Sequence, residues 1–179
     1  MRQQDYLMIE IEGPRISYNL KLYPDSVLRE KALPVDDVNG DISELIDGMA
    51  EIMYSYEGIG LAAPQAGVLK RVIIADIGEG LISTANPEIL QKEDDEKLEE
   101  GCLSLPDIQV EIERKRIISV KGISQQGKEI TYELNGLMAR VIQHEIDHLN
   151  GILIIDYATL MEKYLLRKRL TELKKVYKI

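Results

Sequence analysis

The sequence predicts an α+β fold: one compact domain, antiparallel strands around a central helix, and a further helix at the C-terminal end. Three observations lead there. Short apolar runs bounded by turn residues alternate with a few amphipathic stretches. No strand–helix–strand rhythm runs along the chain, which argues against a parallel sheet. The length of 179 residues suits a single domain.

The elements follow in order. Residues 1–19 are mixed in character and read as an N-terminal extension; the domain proper is assigned to 20–179. Asp41 is expected to cap the first helix, with Glu44 three residues on as its capping-box partner. Ile42, Leu45, Ile46, Met49, Ile52, Met53 and Tyr56 then repeat at the spacing of one buried helical face, and Gly58 and Gly60 end the pattern. Arg71–Asp76 reads as a short buried strand. The acidic run over 93–100 is expected to be a solvated loop, with Glu100 set apart because it adjoins a cysteine motif. Val110–Glu113, Ile117–Val120 and Glu129–Leu134 read as antiparallel strands, the last two joined by a turn over Gln125–Lys128. A second helix should span Leu137 to Asn150 and stop at Gly151. A third should start at Thr159, boxed by Glu162, and run to the end of the chain.

Charge and cysteine usage narrow the function classes. The 22 basic and 31 acidic side chains leave a formal charge of −9, the wrong sign for general nucleic-acid binding. One segment departs from that balance. From Leu160 onward the chain carries Lys163, Arg167, Lys168, Arg169, Lys174, Lys175 and Lys178 against only Glu162 and Glu172. Leu160, Tyr164, Leu165 and Leu173 are expected to form its inner face. A single cysteine excludes an internal disulfide framework and fits a reducing, cytoplasmic setting. No apolar run approaches the roughly 18 residues of a membrane span.

The chemistry lies in the second helix. The chain has two histidines, His144 and His148, with Glu145 between them in a His-Glu-x-x-His pattern. Residues four apart share a helical face, so both imidazoles can reach one ion. The carboxylate between them can take a proton from water held by that ion. A catalytic site needs a third protein ligand and an open position. A third histidine six residues after His148 is excluded, because Ile154 stands there. Glu162 and Glu172 could serve, but they sit on what reads as a charged helix face. Cys102 lies in the Gly/Pro-bounded segment Glu100–Pro106, where a backbone can fold close to an ion, and thiolate binds Fe(II) or Zn(II) strongly. A free cysteine is, however, ordinarily a small buried hydrophobe.

Three segments in order, Gly58–Gln65, Glu100–Ser104 and Gln143–His148, together resemble the peptide deformylase family. Weaker agreement covers Tyr23–Leu28, Asn86–Ile89 and Leu149–Asp156. The resemblance implies removal of the formyl group from the N-terminal formylmethionine of new polypeptides. It implies Fe(II) held by Cys102, His144 and His148, with Zn, Ni or Co as substitutes. It also implies Glu145 as general acid/base, and an oxyanion hole made of Gln65 and the backbone N–H of Leu103. Ile59, Leu137 and Val141 would wall a methionine pocket, and Gly60 would pair its backbone with the substrate. Gln109 departs from the family, whose bacterial members often carry a basic residue there. The basic C-terminal helix would then be a contact to the ribosome.

Two other readings remain at this stage. A peptidase would keep His-Glu-x-x-His with a different third ligand and cut a peptide bond. A binding protein with a structural zinc would need a fourth protein ligand. Arg140 and Asp147, flanking the ligands, read as a structural ion pair.

Overall fold

The computed structural model describes residues 18–176. Most of the extension assigned to 1–19, and Lys178 of the basic C-terminal segment, lie outside the described residues. Where the description begins, Tyr18 and Leu20 already pack on the first core cluster, and the Tyr18 ring rests against Gly48.

Among the described residues five strands form one antiparallel sheet in the order β1-β2-β3-β4-β5. They are β1 (Gly60–Ala62), β2 (Val72–Ala75), β3 (Ile82–Gly101), β4 (Gln109–Ile123) and β5 (Glu129–Asn135). The helices are α1 (Gly40–Ser55), α2 (Gly136–Leu149), the short α3 (Ile154–Tyr157) and α4 (Leu160–Val176). None is long and apolar enough to cross a membrane. The expected α+β class and the central and C-terminal helices are present.

α1 buries the predicted face, with Ile42, Leu45, Ile46, Met49, Ile52 and Met53 inward and Tyr56 exposed. Its cap is Asn39 rather than Asp41: the Asn39 side-chain oxygen Oδ1 accepts from the Asp41 and Ile42 amides. Either side chain could satisfy the orphan amides of the first turn; the extended backbone at Asn39 places the cap two residues earlier. α4 begins as expected, since Thr159 and Glu162 bond each other's backbone amides.

Three expectations fail for nonlocal reasons. The acidic run over 93–100 is a strand, not a loop, and belongs to β3. Opposite it lies a basic stretch of β4, in the register Asp95↔Lys115, Glu96↔Arg114 and Lys97↔Glu113. Opposite charges facing across a ladder stabilise it, each by about 0.2–1 kcal/mol. Correspondingly, the two strands expected at 110–113 and 117–120 are one continuous strand. In α4 the inner face is Leu166, Leu170 and Leu173, packed around Leu28, Leu105, Ile108 and Ile154. Leu160, Tyr164 and Leu165 are solvent-exposed instead.

α2 packs its Met138, Ala139, Val141, Ile142 and Leu149 onto Ala62, Ile73, Ile118 and Val120 of the sheet. This burial fixes the helix's rotation. Its remaining faces point at the end of β3 and the start of β1.

Candidate metal centre

The rotation of α2 that buries Val141 and Ile142 also turns His144 and His148 toward the loop following β3. That loop brings Cys102 to them. The Cys102 Sγ lies 3.2 Å from His148 Nε2, which is 3.2 Å from His144 Nε2. One donor atom from each of the three residues falls within 4.8 Å of the others. Thiolate and imidazole together suit Fe(II) or Zn(II). A second observation supports the fit. Glu145 Oε2 is buried beside the ligands with no hydrogen-bond partner, an arrangement that is costly unless the group meets something at the site.

Behind the ligands lies a buried ionic cluster. Glu100 Oε2 is 3.0 Å from His144 Nδ1, leaving Nε2 free to face the other two donors. Such a carboxylate–histidine pair fixes the ring and its tautomer. Arg114 donates to Glu100 through Nε and Nη2, both at 2.9 Å, and Arg140 adds a third bond at 2.8 Å. Arg114 also pairs with Asp147, which accepts from the Tyr157 hydroxyl at 2.8 Å. The expected Arg140–Asp147 pair is not formed. Seven helical residues separate them by about 10 Å along the axis, so Arg140 turns to Glu100 and Asp147 to Arg114.

The titrations follow from this packing. Burial alone would raise the Glu100 carboxyl, but bonds from His144 and Arg114 hold it at about 2. Burial lifts Glu145, which has no such donors, to about 7. Burial pulls His148 well below its ordinary range, as suits a neutral ligand. In His144 burial acts downward too, but Cys102 and Glu100 outweigh it and draw the ring well upward.

On the other wall, Gln65 is buried in a short 3-10 turn after β1. Its carbonyl accepts from the Ala62 amide at 2.9 Å, which aims its amide nitrogen at Ser104 Oγ (3.1 Å) and Cys102 Sγ (3.7 Å). Gly60 lies so close to α2 that a Cβ there would overlap Glu145 Oε1 and Val141 Cγ1; a Cβ at Gly58 would meet Leu103. Gly58, Ile59, Gly60, Gln65, Cys102, Leu103, Leu137, Val141, His144 and Glu145 all line one cleft. His148 sits behind them. Val141 is buried, whereas Ile59 and Leu137 are 42% and 52% exposed and form the rim. The structure therefore brings the sequence-selected residues together.

Arg114, Ser104 and Tyr157 were not among those residues. Arg114 had a usable signal: Val110, Ile112 and Arg114 alternate onto the inward face of β4, so its guanidinium needed a buried acid.

Comparison with known proteins agrees with this fold. The family model described as polypeptide deformylase matches residues 17–164. A peptide deformylase of Thermodesulfovibrio yellowstonii is 50% identical over 155 residues, covering 84% of this chain and 94% of its own length. One from Thermotoga maritima is 45% identical over 162 residues, covering 90% and 99%. The crystal structure of the Thermotoga maritima peptide deformylase superposes with a TM-score of 0.77 at 46% identity, covering 80% of this chain and 99% of that one. A peptide deformylase structure from Plasmodium falciparum gives 0.85 at 36% identity, covering 89% and 97%.

Proposed function

Since the chain belongs to the polypeptide deformylase family, we propose that its Cys102, His144 and His148 hold Fe(II) and that Glu145 moves the proton in its reaction. The protein is a metal-dependent hydrolase that removes the formyl group from the N-terminal methionine of newly made polypeptides and releases formate. The observation carrying the site assignment is the convergence of three donor atoms beside an unpartnered buried carboxylate, in one cleft.

When bound, the ion supplies Lewis acidity and a lowered pKa for water in its coordination sphere. The chain supplies the rest. Glu145, lifted to about 7 by burial, is poised to accept a proton near neutral pH and return it to the leaving amine. The Gln65 amide, held by Ala62 and aimed at the cleft, and the Leu103 backbone N–H face the oxygen that gains charge during attack. The open edge of β1 offers Gly60 and its neighbours to an extended peptide. Ile59, Leu137 and Val141 surround the methionine side chain.

The test is formate release from formyl-Met-Ala-Ser by anaerobically purified protein, with metal analysis of the same sample. Stoichiometric iron and formate, with formyl-Asp-Ala-Ser turned over far more slowly, is the expected result. Peptide-bond cleavage, or metal-loaded protein without turnover, would overturn the assignment.

The reading extends to a cytoplasmic protein that meets its substrate at the ribosome through α4. Lys163, Arg167, Lys168, Lys174 and Lys175 of that helix carry the charge, and attraction to RNA phosphates weakens steeply with salt. Changing Lys174, Lys175 and Lys178 to Glu should reduce co-sedimentation with ribosomes at low salt. Equal sedimentation of the parent and variant across a salt series would remove α4 as the anchor.

A further inference from the structure

We infer that the outer edge of β5 pairs antiparallel with the same edge of a second copy of this chain, with Tyr132 facing Tyr132 across the two-fold axis. Among the described residues β5 pairs only with β4, over an unbroken register from Ile117↔Asn135 to Ile123↔Glu129. Its other side offers unpaired backbone groups, and the turn before it shows which residues carry them. The Ser124 amide donates to the Lys128 carbonyl. Hydrogen-bonded pairs alternate along an antiparallel ladder, so Ile130, Tyr132 and Leu134 direct their backbone groups at β4. Glu129, Thr131, Glu133 and Asn135 direct theirs outward. Such an edge is a template for another strand unless a lysine, a proline or a bulge guards it. The β3 edge beyond Ala85 has guards of this kind, in Lys92, Lys97 and two register shifts. β5, Glu129–Asn135, has none of them.

The side chains choose the partner and the register. Only outward-directed residues can exchange hydrogen bonds, so the four of one copy must lie opposite the four of the other. With Thr131 on the two-fold axis, Glu129 would oppose Glu133. With Glu133 on the axis, it would oppose itself. Both set like charges directly across the ladder, which is destabilising. With Tyr132 on the axis every residue of the strand is paired and no two carboxylates are opposed. Glu129 then meets Asn135, Thr131 meets Glu133, and Ile130 meets Leu134. Leu134 lies on the α2 side of the sheet, and by alternation so do Ile130 and Tyr132. All three are half-buried in one copy. The second copy covers them, setting an aliphatic pair on either side of the tyrosine pair. Cross-strand pairs of these types stabilise a ladder, so the edge is complementary to itself in this one register.

Sedimentation equilibrium of the full-length, nickel-loaded protein tests this, at loadings up to about 1 mM because a strand-wide contact belongs to the small, transient class of interfaces. The parent should show a monomer–dimer equilibrium. Thr131 faces Glu133 twice in the interface, so its substitution has a signed effect. Thr131→Glu sets carboxylate against carboxylate, and Thr131→Lys sets ammonium against carboxylate. At about 1.4- to 5-fold for each cross-strand pair, Kd should rise roughly 2- to 25-fold in the first and fall by as much in the second. Folding stability moves the other way, because Thr131 lies opposite Lys121 of β4 within one chain, so a folding defect cannot imitate the result. Amide hydrogen exchange locates the contact. Raising the concentration should slow exchange at Thr131 and Glu133, while Ile130, Tyr132 and Leu134, already bonded to β4, change little. A parent that stays monomeric at the highest loading, a dimer whose Kd does not move in opposite directions in the two variants, or a dimer without added protection at Thr131 and Glu133 would each overturn the inference.

Discussion

Replacing Glu100 by Gln keeps the shape of the side chain and removes the charge that the buried cluster is built around. Glu100 is 6% exposed and takes three bonds from Arg114 and Arg140 and one contact from His144. Its carboxyl falls from an ordinary 4.5 to about 2, and at about 1.4 kcal/mol per unit that corresponds to roughly 3 kcal/mol. An independent expectation agrees, since removing one partner of a buried ion pair costs about 3–5 kcal/mol. The sign fixes the pH window. The folded pKa is depressed, so the contribution is complete above about 4.5 and is lost as pH falls toward 2. Urea unfolding of the metal-chelated proteins at pH 7 should show Glu100→Gln destabilised by about 3 kcal/mol, with the gap closing below pH 4. Metal affinity should drop about 10- to 100-fold, because His144 loses the carboxylate that orients it. A loss under 1 kcal/mol together with unchanged affinity would refute this account of the cluster.

Other perturbations separate the remaining roles. Glu145→Gln should retain the metal and lose about 10²–10⁴-fold in kcat, because the amide cannot carry the proton; near-parent turnover would take Glu145 out of the reaction. Gly60→Ala should keep metal content but lose on the order of 10²-fold in kcat/KM, since the added methyl displaces Glu145 or Val141. Parent-like kinetics would show that α2 yields there without consequence. Iron-loaded enzyme should lose activity in air through oxidation of the ion or Cys102, and nickel replacement should protect it. Iron-loaded activity that survives prolonged aeration would argue against this metal and ligand set.

What could be read from the sequence was local or carried by motif. His144, Glu145 and His148 share one helix, and their geometry follows from its pitch. Cys102 and Gln65 lie in short segments whose pattern resembles a known family, and the structure gathers them around the histidines. What could not be read depends on register. The pairing of Asp95 with Lys115 turns a charge run into a strand, and nothing within residues 93–100 reveals that the compensating cations lie about 20 residues later. The Arg114–Glu100–Arg140 cluster has the same origin, because it forms only once β3 and β4 are aligned and α2 is docked. In α4, Leu160/Tyr164 and Leu166/Leu170/Leu173 both have helical spacing. Only the position of the Leu105–Ile108 cluster decides which stripe is covered.

Anomalous diffraction at the iron edge, from crystals of the anaerobically purified protein, tests the central assignment most directly. One peak per chain is predicted, bonded by Cys102 Sγ and the Nε2 atoms of His144 and His148, with no fourth protein ligand and Glu145 facing the open position. A peak elsewhere, or one closed by a fourth side chain, would contradict the assignment of a catalytic ion to this site.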